Sequence, residues 1–141
     1  MKLTNQTLKK KLNQLGSTGA MLFLLCSITA FSYNYIEKDC DDAKSSADDA
    51  YSFFRKAYNS DNFYEAQSYI KKGMNSSSDA EDEAADSDCE CDDAESSASD
   101  AYSYGKKAYN SSNLSDAQYY IKKAMNSATE TTDEAEDCED E

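Results

Sequence analysis

Two stretches of this 141-residue chain, Cys40-Asp-Asp-Ala-Lys-Ser-Ser-Ala-Asp-Asp-Ala-Tyr51 and Cys91-Asp-Asp-Ala-Glu-Ser-Ser-Ala-Ser-Asp-Ala-Tyr102, superimpose at a shift of 51 residues. The match runs on without a gap through Lys56-Ala-Tyr-Asn-Ser60 on Lys107-Ala-Tyr-Asn-Ser111, Tyr69-Ile-Lys-Lys72 on Tyr120-Ile-Lys-Lys123, and Met74-Asn-Ser76 on Met125-Asn-Ser127. One unit is therefore written twice. Within it Ala43, Ala47, Ala50, Tyr51, Phe54, Ala57 and Tyr58 share one face of a helix, and Ala94, Ala98, Ala101, Tyr102, Gly105, Ala108 and Tyr109 repeat that face. On this spacing Tyr51, Tyr58, Tyr102 and Tyr109 are expected in the core with a wet hydroxyl. A second stripe runs Phe63, Ala66, Ile70, Gly73, Met74, Ser77, matched by Leu114, Ala117, Ile121, Ala124, Met125, Ala128. The break between stripes is Asn59-Ser-Asp-Asn62. Asn62 and Asn113 each stand three positions before an acid, Glu65 and Asp116, in the form of a helix N-cap.

Each unit is thus predicted to be an antiparallel helical hairpin, and the body to be all-α, with hairpin repeat 1 over residues 37–90 and hairpin repeat 2 over 91–141. The chain has no Val and only four Ile, Ile28, Ile36, Ile70 and Ile121. A β-sheet core has nothing to be built from.

Charge divides the chain again. Residues 1–36 hold Lys2, Lys9, Lys10 and Lys11 and no acid, whereas the remainder holds ten basic residues against 28 acids, for a formal net charge of −14 overall. Residues 16–36 carry no charge, with lysines before them and Tyr33 and Tyr35 near their end. A bilayer span needs about 20 mostly apolar residues, with lysines retained in the cytoplasm and tyrosines at the far interface. The expected layout is a basic cytoplasmic segment over residues 1–15, a single transmembrane anchor or signal peptide over 16–36, and the acidic body outside the cytoplasm. Leu3, Leu8, Leu12 and Leu15 add the spacing of a basic amphipathic helix lying on a membrane surface. Cleavage after Ser32, with Ala30 and Ser32 as the small residues, is the competing reading. Lipidation at Cys26 is disfavoured because Phe23-Leu24-Leu25 supplies no small residue before it.

Cys40 and Cys89 bracket the first unit, Cys91 and Cys138 the second. An antiparallel hairpin brings its two ends together, so Cys40–Cys89 with Cys91–Cys138 is the expected pairing. Cys40–Cys91 with Cys89–Cys138 competes with it, and a Cys89–Cys91 bridge would be strained. Disulfides imply an oxidising compartment. Counting back from a turn near Ser60, Cys40 faces a residue near 80. The second helix is therefore expected to end or bend between about Ser78 and Asp86, with the acidic tail doubling back, and the same is expected before Cys138.

The run Gly105-Lys-Lys-Ala108-Tyr109, followed by Leu114-Ser-Asp-Ala117, Ile121 and Ala124, resembles a tetratricopeptide hairpin, which spaces a small residue, an aromatic, Ala, a large apolar residue and Ala in this order. The resemblance implies a helix-hairpin architecture that serves protein contacts. The first unit departs from it with Phe54 in place of Gly105 and Gly73 in place of Ala124, no Pro closes either unit, and the period is 51 residues rather than 34.

No His is present, which removes an imidazole base, Ser-His-Asp and Cys-His nucleophiles, and the His-bearing zinc sites. An acidic body is unsuited to nucleic acid, whose phosphates require Lys/Arg stripes. The expectation is a non-enzymatic protein without cofactor, anchored at an inner or plasma membrane and serving as an interaction or accessory subunit of a larger membrane or envelope complex. A secreted helical-repeat binding or signalling protein, and a weak divalent-cation binder using the acids from Asp79 to Asp93, are the alternatives. Tyr69, Lys71 and Lys72, with Tyr120, Lys122 and Lys123, join exposed aromatics to basic pairs and are the expected contact residues.

Overall fold

The stripes and breaks become four helices: α1 Asp41–Tyr58, α2 Phe63–Ala84, α3 Asp92–Tyr109 and α4 Leu114–Glu139. The computed structural model describes residues 39–86 and 88–139. The expected basic segment and anchor or signal peptide of residues 1–36 lie outside them, and no helix among the described residues is long and apolar enough to cross a membrane. Each helix packs along the next, α4 returns against α1, and the diagonal pairs barely meet. The two hairpins therefore close into an up-down-up-down four-helix bundle.

Its seam is mostly alanine. The buried residues are Ala43, Ala47, Ala50, Phe54 and Ala57 on α1, and Ala66, Ile70, Gly73, Ser77, Ala80 and Ala84 on α2. On α3 they are Ala94, Ala98, Ala101, Gly105 and Ala108, and α4 buries Ala117, Ile121, Ala124, Ser127, Ala128, Thr131 and Ala135. Steps of four and three alternate on every helix, which is the heptad seam of coiled-coil packing. A seam this narrow leaves out the residue next to it. Tyr58 and Tyr109, expected in the core, are 40 % and 41 % exposed because they sit one residue past Ala57 and Ala108, about 100° round the helix. Ser77 and Thr131 tolerate burial by donating their hydroxyls to Gly73 O (2.9 Å) and Ser127 O (2.9 Å), one turn back.

The largest buried side chain of the seam needs space made for it. Phe54 is fully buried, and a Cβ added to Gly73 would lie 2.8 Å from its ring, while one added to Gly105 would lie 3.0 Å from the ring and 2.7 Å from Met74 Cγ. The two glycines make the space that Phe54 fills. Gly105 is the repeat equivalent of Phe54, so the duplicated units have diverged into a large residue and its socket.

Both ends of the bundle are tied. At the turn end, Asn62 Oδ1 accepts from Tyr64 N (2.9 Å) and Glu65 N (3.2 Å), and Asn113 Oδ1 accepts from Asp116 N (2.9 Å). Gln67 Nε2 donates to Tyr109 O, and its repeat equivalent Gln118 donates to Tyr58 O, both at 3.0 Å. This reciprocal pair crosses between hairpins and satisfies carbonyls left open at the helix C-termini.

At the other end Cys40 pairs with Cys89 (Cα–Cα 4.8 Å) and Cys91 with Cys138 (Cα–Cα 6.1 Å). The two cysteine connections are made differently. In the first unit the helix does end, at Ala84, and the described residues after it turn back through hydrogen bonds from Cys91 N to Ala84 O and Asp39 N to Asp88 O. In the second the expected bend is absent, and α4 runs unbroken through Cys138. The reason lies in the seam. Cys138 follows Thr131 and Ala135 by steps of four and three, so a continuing helix presents it toward Cys91, whereas Cys89 falls off the series Ala80, Ala84. The last residue of α4 also holds the start of α1: Glu139 accepts from Cys40 N (3.0 Å) and from Lys44 Nζ (2.7 Å).

Gly73→Ala is expected to destabilise the bundle by about 1–2 kcal/mol, because overpacking against Phe54 outweighs the gain in helix propensity. Most of that cost should disappear in a Phe54→Leu background, as read by urea denaturation of the four proteins of the cycle. Replacing either cysteine pair by alanine is expected to lower stability by about 2–4 kcal/mol, measured by the same titration under oxidising conditions.

Candidate binding surface

The two ends of the bundle carry opposite charge. In the half towards the turns, residues 50–78 and 101–129, eight basic residues face three acids, whereas residues 39–49, 79–86, 88–100 and 130–139 hold Lys44 against twenty-two acids. Among the described residues only Lys44 forms ion pairs, with Asp41 (2.9 Å) and Glu139 (2.7 Å). Those two carboxylates hold its ammonium well above the ordinary lysine pKa, Glu139 contributing most. Asp39, Asp41 and Glu139 also approach one another closely enough to surround a cation. The Lys44 ammonium already supplies one there.

Five of the eight basic residues of the turn half, Arg55, Lys56, Lys72, Lys107 and Lys123, lie over aromatic rings instead of pairing with carboxylates. Lys56 and Lys72 both lie over Phe53, at 5.1 and 5.7 Å from its centroid, and Lys72 also lies 5.7 Å from Tyr69. In the second unit Lys107 and Lys123 both lie over Tyr104, at 4.8 and 5.2 Å, and Lys123 lies 5.1 Å from Tyr119. Helical spacing produces this. Phe53 and Lys56, like Tyr104 and Lys107, are three residues apart on one helix, while Lys72 and Lys123 reach in from the neighbouring helix. The hydroxyl of Tyr119 beside Lys123 raises the lysine pKa.

Of the contact residues expected from sequence, the structure gathers Tyr69 with Lys72 around Phe53, and Lys123 around Tyr104. Lys71 and Lys122 are exposed, while Tyr69 and Tyr120 are partly buried against the core and so share packing with any contact role. The more exposed tyrosines are Tyr64 at 82 % and Tyr119 at 59 %. Sequence reasoning passed over Phe53, Tyr104, Lys56 and Lys107. Their signal was present in the spacing of three and in its recurrence 51 residues on.

An open groove lies at each turn, bordered by Lys56 in the first unit and Lys107 in the second. The first, of about 520 Å³, has Arg55, Lys56, Asn59, Ser60, Glu65 and Tyr69 among its lining residues. The second, of about 730 Å³, is lined by the equivalents Lys106, Lys107, Asn110, Ser111, Asp116 and Tyr120, joined by Tyr119. Tyr119 and Tyr120 meet edge to face at 5.1 Å. The turn half therefore presents the same arrangement twice: an ammonium wall, an Asn-Ser turn and a tyrosine.

Nothing in the comparisons adds to this geometry. No protein-family model, no curated protein and no solved structure matches the chain.

The raised Lys123 pKa has a definite sign: its charge persists to higher pH than an ordinary lysine's, and deprotonation comes later by whatever the Tyr119 hydroxyl contributes. Tyr119→Phe is expected to move the Lys123 titration down, as followed by its side-chain resonances in labelled protein across the alkaline range.

Proposed function

We propose that this protein is a non-enzymatic, extracytoplasmic binding subunit, anchored in an inner or plasma membrane through residues 16–36 and serving a larger membrane or envelope complex. The observation that carries the reading is the concentration of eight basic residues, none of them ion-paired among the described residues, with exposed tyrosines at one end of a stapled bundle. A basic, aromatic end without internal counter-charges favours an acidic partner surface and speeds its approach. The chain enters the body at Asp39 and Cys40, at the acid end, so the basic end lies farthest from the point of entry. Tyr69, Lys71 and Lys72, with Tyr120, Lys122 and Lys123, form the contact surface of the reading, and the tetratricopeptide-like spacing of the hairpins is in keeping with protein contacts. The two disulfides favour an oxidising compartment for the body.

Intact mass of the protein extracted from native membranes, with and without reduction, tests the anchor and the staples together. The full chain, recovered only with detergent and gaining about four mass units on reduction of its two disulfides, is expected. A freely soluble chain lacking residues 1–32 would overturn the anchored reading in favour of a secreted binding protein.

A further inference from the structure

We propose that the two grooves at the turn end are repeat-equivalent sites for a carboxylated polysaccharide, with the second-unit groove the stronger. This rests on the reading of the basic end as a contact surface and goes beyond it in naming a ligand class for part of that end, chiefly Lys106, Lys107 and Tyr119.

The charge comes first. In each hairpin two ammonium groups converge on one ring, Lys56 with Lys72 on Phe53 and Lys107 with Lys123 on Tyr104. Like charges brought together repel, and no described carboxylate pairs with them. One lysine of each pair, Lys56 or Lys107, lines a groove beside a second cation, Arg55 or Lys106, so an anion held in the groove relieves that repulsion. Of the three acids in the grooves, Asp116 accepts from Asn113 Nδ2 (2.7 Å) and Glu65 from Ser60 Oγ (3.1 Å), both holding the turn, and Asp61 of the first groove forms no ion pair among the described residues.

The lining then selects among anions. No aliphatic side chain lines either groove, and peptides dock chiefly through apolar anchors. What the second groove offers is the hydroxyls and amide of Ser103, Asn110 and Ser112, with the tyrosine ring of Tyr119 open to solvent. Amides and hydroxyls both donate to and accept from sugar hydroxyls, and the electron-rich face of a tyrosine ring accepts the C–H face of a pyranose. The volumes, about 730 and 520 Å³, fall in the range of small-ligand sites.

Duplication supplies the last step. Two equivalent grooves on one stapled bundle fit a ligand whose carboxylate recurs along a chain, because the second engagement becomes intramolecular. The grooves are not equal. Asp61 stands in the first where Ser112 stands in the second, so Arg55 and Lys56 are offset there by Asp61 and Glu65 while Lys106 and Lys107 face Asp116 alone, and the first has Ser68 as the equivalent of Tyr119 and so one tyrosine fewer.

The test uses the full chain in nanodiscs of neutral phosphatidylcholine, with polygalacturonate as probe and dextran, poly-glutamate and anionic phospholipid vesicles as comparators. Polygalacturonate is expected to bind and to weaken about tenfold or more between low and high salt. Lys106→Ala with Lys107→Ala should cost about tenfold in affinity, Arg55→Ala with Lys56→Ala about threefold, and Tyr119→Ala should weaken polygalacturonate but not poly-glutamate. Chemical-shift changes in the unaltered protein should centre on Tyr104, Tyr119 and Lys123, a readout independent of any variant. Equal binding of dextran, of poly-glutamate or of the vesicles would overturn the proposal, as would shifts confined to residues 1–36 or variants that bind like the parent. The anchor is not read by this experiment, so its failure and that of the membrane assignment are separable.

Discussion

Alanine at the seam is the constraint on which the rest of the bundle depends. A methyl group on most buried positions lets four helices close on one another, but each buries little apolar surface, and burial is worth only about 25 cal/mol per Å². Such a core has room for few large side chains. Where Phe54 is admitted, two neighbours must give up even their Cβ, and the two units, otherwise alike, differ at this level for that reason. A thin core also explains why connections matter here. The bundle is held by two disulfides, by the Gln67 and Gln118 bonds between hairpins, and by the Glu139 contact that closes α4 onto α1.

The placement of these ties follows the charge. Twenty-two acids crowd one half of the body, where their mutual repulsion opposes folding. Both covalent staples and the Lys44–Glu139 ion pair stand in that half. The turn half carries fewer charges of mixed sign, and neutral hydrogen bonds are enough to hold it. Concentrating acid and staples at one end leaves the other end free to carry basic residues that the fold does not consume. Five of them lie over aromatic rings, whose electron-rich faces attract a cation without a carboxylate and leave it open to an anion.

The duplication gave this surface two copies of one arrangement and then changed each. Phe53 became or came from Tyr104, Ser68 answers Tyr119, Asp61 answers Ser112, and Lys44 has Glu95 as its equivalent. The last change matters to closure: only the first unit offers an ammonium for Glu139, so the acid end is clamped on one side by an ion pair and on the other by Cys91–Cys138 alone. Equivalent positions with unequal chemistry are what make the two grooves distinguishable by substitution.

Much of this was legible in the residues themselves. Helix number, the turns at Asn59–Asn62 and Asn110–Asn113, the capping asparagines and most buried positions follow from spacing, because a helix repeats its environment every three or four residues. The cysteine pairing was narrowed by the antiparallel hairpin, with one competitor left open. Three things needed the third dimension. The seam proved narrower than the stripe, which put Tyr58 and Tyr109 in solvent, since the width of a buried face is set by how closely neighbouring helices approach. The continuation of α4 to Cys138 depended on which helix face meets Cys91. The convergence of Lys56 with Lys72, and of Lys107 with Lys123, joins residues of different helices around one ring. The sequence by itself determined a duplicated pair of helical hairpins with charge divided along them; the closing of α4 onto α1 decided which side chains meet, because contacts between helices depend on rotation and register, and local periodicity specifies neither.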